Sequence, residues 1–224
     1  MPLPRGGLLL FGGVPRWRAP VFVGDGMEML LEAPAPAGAS LDELKAYLRV
    51  TGTSEDIFLD RLLGAASGQC ERFTGQALVR RNFEDMVPVE AGWTRLGQAP
   101  VSAITQVMGV PAEGAAFALP VDAYAIDIDA DGEGWVRIDR GGAAGRAQVS
   151  YQAGLAGAAE WVPEPLRSGI VRLAAEAYWR REAGTGAAAG SGLPATVTAL
   201  WRPWRRMRLG GGGVGVAAGR GARQ

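Results

Sequence analysis

The chain has 224 residues, 48% of them hydrophobic, which is enough to bury a core and fits one compact body with loose ends. Its 23 basic and 23 acidic residues cancel, so nothing draws the whole chain toward nucleic acid or an anionic membrane, and any such affinity has to be local. Histidine is absent and Cys70 is the single cysteine, which removes Ser-His-Asp and Cys-His nucleophile pairs, His-ligated metal sites, intramolecular disulfides and CxxC motifs.

In chain order, residues 1–39 come first, rich in Pro and Gly and ending in "EAPAPAGA". They read as a flexible extension that orders only against something else, with Met27 or Met29 as candidate biological starts. The apolar run "LLLFGGV" is Gly-broken and followed by Arg16, Trp17 and Arg18 where a signal peptide needs small residues. No apolar run approaches the roughly 18 residues of a membrane span, so no membrane partner is expected. With the lone cysteine, a reducing, cytoplasmic origin fits.

Order begins at "SLDELKAYLRV", where Ser40 and Glu43 make a capping box and Leu41, Leu44, Tyr47 and Leu48 form one apolar face, predicting a helix near 41–50. A second helix is predicted over 54–74, with Thr53 or Ser54 as N-cap, Phe58, Leu62 and Phe73 at helical spacing and Gly75 as its stop. Cys70 falls in this pattern as a packed, inert thiol.

The period then changes to two. "LVRRNFEDMV", "VSAITQVMGV", "AYAIDI", "GWVRID" and "GRAQVSYQAG" predict an inserted, mostly antiparallel sheet over about 78–153. Within it, "DIDADGEGWVRI" carries Asp127, Asp129, Asp131 and Gly132 at calcium-loop spacing, but Ile138 stands where the bidentate carboxylate is required. The strand-like flanks and the Asp-Gly pair at 131 and 132 make it a hairpin, so no metal is expected. The acids Glu84, Asp85 and Glu90 have nothing to bring them into one cleft, and "GGGGVG" lacks the Lys and Ser or Thr of a phosphate loop. No catalytic site and no cofactor are expected, and the chain reads as a non-enzyme.

Helical period returns in "PEPLRSGIVRLAAEAYWRREAG", predicting a helix over 164–182 with Pro at its start and Arg180 and Arg181 at its negative end. A Gly/Ala linker follows at 184–192. Beyond it, "LWRPWRRMRL" interleaves Trp201, Trp204, Met207 and Leu209 with Arg202, Arg205, Arg206 and Arg208, around Pro203 and without an acid. Such a segment suits docking to a protein partner, a last element folded onto the body, or direct nucleic-acid binding. The expected division is thus 1–39 extension, 40–183 core, 184–192 linker and 193–224 docking arm with a basic tail. The fold class is α+β: a small helical bundle with an inserted sheet and extended arms at both ends.

The order "LDELKAYLRVTGTSEDIFLDRLLGAASGQCERFTGQALVRRNF", "PVSAITQV", a Y-x-I-D strand with a following "VRID", "VSYQAGLAG" and "VPEPLRSGIVRLAAEAYWRRE" resembles the head-tail connector, or adaptor, family of long-tailed bacteriophages, with relatives in prophages and gene transfer agents. The likeness covers roughly 40–209 and includes "ALWRPWRRMRL". It implies a structural adaptor at the head-tail interface of a virion or phage-like particle, forming a dodecameric ring beneath the portal protein. The ring would extend the DNA channel and give a tail-proximal completion or stopper protein its docking surface. It further implies that the segment at about 193–209 grips the portal through Trp201, Trp204, Arg202, Arg205 and Arg206, with Pro203, Met207 and Leu209 beside them. The N-terminal extension and the basic Gly-rich tail depart from the family pattern, and either could line the channel and touch DNA. The alternative from another class is a DNA-binding packaging accessory that works through this basic C-terminus.

Overall fold

The computed structural model describes residues 35–182 and 192–206. Three longer helices, α1 (Leu41–Leu48), α2 (Asp56–Thr74) and α3 (Glu164–Glu182), and the short α4 (Ala195–Trp201) form the helical part. The strands are β1 (Arg81–Pro88), β2 (Thr94–Arg95), β3 (Val101–Pro111), β4 (Phe117–Ala118), β5 (Tyr124–Ile128), β6 (Gly134–Ile138) and β7 (Ala144–Ala153). The α+β architecture expected from the sequence is therefore present. Among the described residues no helix is long and apolar enough to cross a membrane.

Local chemistry sets the helix ends. The Ser40 hydroxyl accepts from the Glu43 amide at 3.2 Å while the Glu43 carboxylate accepts from the Ser40 amide at 2.9 Å, satisfying two otherwise orphaned donors. The first helix stops at Leu48, short of the expected residue 50, because Arg49 turns into the left-handed region at φ 58°. The second begins at Asp56 and ends where Gly75, at φ 70°, donates its amide to the Glu71 carbonyl at 2.8 Å.

The inserted sheet is two sheets. One has the order β1-β7-β3-β4 and the other β2-β6-β5. All named strand pairs are antiparallel, and the register of β3 against β7 slips at three irregular points. The sheets share one apolar cluster, to which the first gives Val101, Val107, Val149 and Tyr151 and the second Val136 and Ile138. Neither two-residue strand leaves a periodic signal, which is why a single sheet was the natural expectation.

A second cluster is helical, with Leu44, Leu59, Leu63, Leu166, Ile170, Val197 and Trp201 at its centre. The body also begins earlier than residue 40. Ala39 is buried, and the Gly38 amide donates to the Ser67 hydroxyl at 2.9 Å. A Cβ at Gly38 would sit 2.6 Å from Leu78, so the close approach of this segment to the body needs glycine. Between the two clusters runs a polar seam. Glu71 takes a two-bond fork from Arg81 at 2.8 and 2.9 Å and also accepts the Leu78 amide, locking the end of α2 to the start of β1.

Candidate partner-docking segment

The Trp- and Arg-bearing segment lies on the body. From Pro194 the chain forms α4 and then a single 3-10 turn, Arg202–Trp204, which Pro203 enters without loss because its missing N–H falls in the first turn. The expected extended arm is therefore folded down as far as Arg206. Its anchor is Trp201, which is 0% exposed. The indole occupies a notch in α3 at Gly169, where any Cβ would collide with the indole nitrogen. Its N–H donates to the Leu166 carbonyl at 3.3 Å, and its ring is tilted against Phe73 with centroids 5.9 Å apart. Expected as an anchor for a partner, Trp201 here anchors its own chain, because α3 supplies both the space and the acceptor.

The rest of the segment is presented in graded fashion. Trp204 is half-buried against the helical cluster, and its carbonyl accepts from the Gln76 side chain at 2.5 Å. Arg202 and Pro203 are exposed. Arg205 is also exposed, its guanidinium 5.7 Å from the centre of the Phe73 ring. Met207 and Leu209, with Arg208, lie outside the described residues, as do residues 1–34 and the linker up to residue 191.

Arg206 joins the two motifs that stood out in the sequence. Its amide donates to the Thr74 carbonyl at 2.9 Å, and its guanidinium donates to the carbonyl of Asp131 in the aspartate loop. That loop is the tip of the β5–β6 hairpin, with Gly132 at φ 73°. One Asp129 carboxylate oxygen accepts the amides of Asp131 and Glu133 at 3.0 and 2.8 Å, and the other accepts the Trp135 indole N–H at 3.1 Å. The Trp135 bond, followed by the Glu133 amide, holds the Asp129 carboxyl below the usual aspartate range. Both oxygens thus serve the turn. Elsewhere, burial pushes the Cys70 thiol up to about 12, leaving it without nucleophilic character.

Geometry separates the expected docking residues into a seated group, Trp201, Trp204 and Arg206, and an outward group, Arg202, Pro203 and Arg205. The signal that could have found the seat is Gly169, a glycine inside an otherwise uninterrupted helical pattern.

Neither a protein-family model nor a curated protein matches the chain. Solved structures do. A chain from the neck of an empty gene transfer agent particle, computed with C6 symmetry, is 26% identical with a TM-score of 0.63, over 78% of this chain and 93% of that one. A chain from the virion of a native gene transfer agent particle is 29% identical with a TM-score of 0.60, over 82% of this chain and 98% of that one. A third, from the neck of the native particle computed with C12 symmetry, is 26% identical with a TM-score of 0.59, over 77% and 91%. The likeness to connectors of phage-like particles read from the order of sequence pieces is met by these structures.

Proposed function

We propose that this chain is a structural adaptor of the neck of a phage-like particle, assembling as a ring beneath the portal, continuing the DNA channel and seating a tail-proximal protein. The observation that carries the reading is the similarity to chains of gene transfer agent necks and of a gene transfer agent virion over nearly their whole length, 91 to 98% of each. The C6 and C12 symmetries of the two necks support a ring of identical chains, and twelve copies is the number we favour. The work of such a protein is contact, with no chemistry of its own.

The portal-facing surface in this reading is the outward group Arg202, Pro203 and Arg205, held at a fixed angle by the seated Trp201. Trp and Arg dominate interface hot spots because they pair large contact area with directional bonding. The test is co-assembly of the full chain with the portal ring from the same gene cluster, read as mass and stoichiometry. A symmetric complex that is lost in Arg202→Glu/Arg205→Glu, with the fold retained, is the expected result. A complex of unchanged stoichiometry in that variant removes the arginines from the interface, and no complex at any salt removes the adaptor reading.

The two exposed arginines also favour a second reading, a packaging accessory that contacts DNA directly. It expects DNA retention that falls steeply with salt and disappears in the same variant. Portal docking with no DNA retention decides against it.

A further inference from the structure

Among the described residues, the buried polar side chains are Ser67, Thr74 and Gln76. Burying such groups is costly unless they are bonded, so each needs a partner. The Ser67 hydroxyl accepts the Gly38 amide, and the Thr74 hydroxyl donates to the Cys70 carbonyl at 2.8 Å one turn back on its own helix. Gln76 reaches much further. It follows the helix stop at Gly75, where the next two amides are already engaged, Ala77 on the Ala99 carbonyl and Leu78 on the Glu71 carboxylate. Its side chain donates to the Trp204 carbonyl, 128 positions away in the chain. Only the NH2 end of the amide can serve a carbonyl, so Gln76 is the donor.

The bonded oxygen belongs to the peptide between Trp204 and Arg205. A peptide unit is planar, so holding its oxygen orients the whole unit and sets the direction in which the Arg205 side chain leaves the backbone. On either side the segment is held independently, Trp201 by its notch in α3 and Arg206 by the bond from its amide to the Thr74 carbonyl. The turn between them is closed by the Arg205 amide on the Arg202 carbonyl at 3.2 Å. Gln76 supplies the hold in the middle. The Arg205 guanidinium then lies over Phe73, whose ring is itself tilted against Trp201, so the arginine rests on a surface continuous with the seat.

We propose that Gln76 is a positioning residue of the portal-facing surface: by holding the Trp204 carbonyl it sets the direction of Arg205 and so controls portal affinity. At 9% exposure it has almost no surface of its own to offer a partner, and it acts through the arginine. The inference rests on the portal reading above and names the residue that shapes that site. Losing this hold leaves the segment attached at Trp201 and Arg206, so the effect falls on the orientation of the turn and spares the fold.

The test is a double-mutant cycle in the full-length chain, reading the dissociation constant for the portal ring from the same gene cluster. Gln76→Met keeps the length of the side chain and removes the donor, while Arg205→Ala removes the group it orients. Gln76→Met is expected to weaken portal binding about tenfold, the order of one buried hydrogen bond. Arg205→Ala is expected to weaken it by as much or more, and the double variant no further than Arg205→Ala alone. Hydrogen exchange in Gln76→Met is expected to rise at residues 202–206 and to stay unchanged in α3. If a urea midpoint shows that Gln76→Met does not fold, Gln76→Glu takes its place, with the same shape and an oxygen set against the carbonyl. Wild-type affinity in the Gln76 variant, unchanged exchange at 202–206, or an equal loss of affinity with and without Arg205 overturns the positioning role and leaves the adaptor reading standing. Wild-type affinity in Arg205→Ala removes that arginine from the interface, and this inference with it. A wild-type chain that binds no portal ring overturns the adaptor reading itself.

Discussion

Trp201 and Gly169 form one joint, and each explains the other. A glycine inside α3 costs the helix about 1 kcal/mol relative to alanine, and it is occupied by an indole that no side chain would permit. Truncating a fully buried tryptophan removes its transfer energy and leaves a cavity, so Trp201→Ala is expected to cost about 3–5 kcal/mol, a large share of a typical domain's stability. Gly169→Ala places a methyl group in the same space and is expected to cost about 1–3 kcal/mol by overpacking. Urea unfolding of both variants checks the pair: near-wild-type midpoints in both would mean that the segment is not seated.

Asp129 carries a second expectation at this scale. Its folded-state acidity is strengthened, so its contribution is fully present above the ordinary aspartate value of about 3.9 and is lost as pH falls through the lower folded value. Asp129→Asn keeps an oxygen for the backbone amides but turns an amide N–H toward the Trp135 indole N–H, two donors facing each other. The variant is expected to be less stable than wild type at pH 7. The gap should narrow as pH falls below about 4, and thermal unfolding across that range measures it.

At the scale of elements, the C-terminal segment works as a latch between the two cores. Trp201 sits in the helical cluster, Gln76 holds the Trp204 carbonyl, and Arg206 reaches the tip of the β5–β6 hairpin. Arg206→Ala is expected to leave α4 in place and raise amide exchange in the hairpin tip at residues 129–133. Hydrogen exchange resolved by segment reads this directly, and unchanged protection there would mean that the Arg206 contact does not hold the hairpin. The sequence made the separate pieces legible: the Ser40–Glu43 box, Gly75, the Asp131-Gly132 turn and the three longer helices all follow from local rules. The latch does not, because its chemistry joins residues far apart in the chain. Nothing near Trp201 distinguishes a tryptophan bound for its own helix from one bound for a partner. Likewise the split into two sheets depends on β2 and β4, whose two residues each carry no period, and on which strands pair, which alternation alone leaves open.

For the whole molecule, the seated segment changes what a truncation can mean. Removing residues 193–224 takes away a docking surface in the proposed function, but it also takes Val197 and Trp201 out of the helical cluster and opens the notch at Gly169. Loss of portal binding in the truncated chain would then report folding as much as contact. The truncated chain is expected to unfold at a lower urea concentration than the full chain by at least the margin of Trp201→Ala. Arg202→Glu/Arg205→Glu is expected to keep the wild-type midpoint, since both arginines lie at the surface and surface changes usually shift stability by no more than about 0.5 kcal/mol. If portal binding fails in both, only the arginine variant locates the interface. If it fails in the truncation alone, the segment supports the ring from inside the fold, and the portal reads some other face.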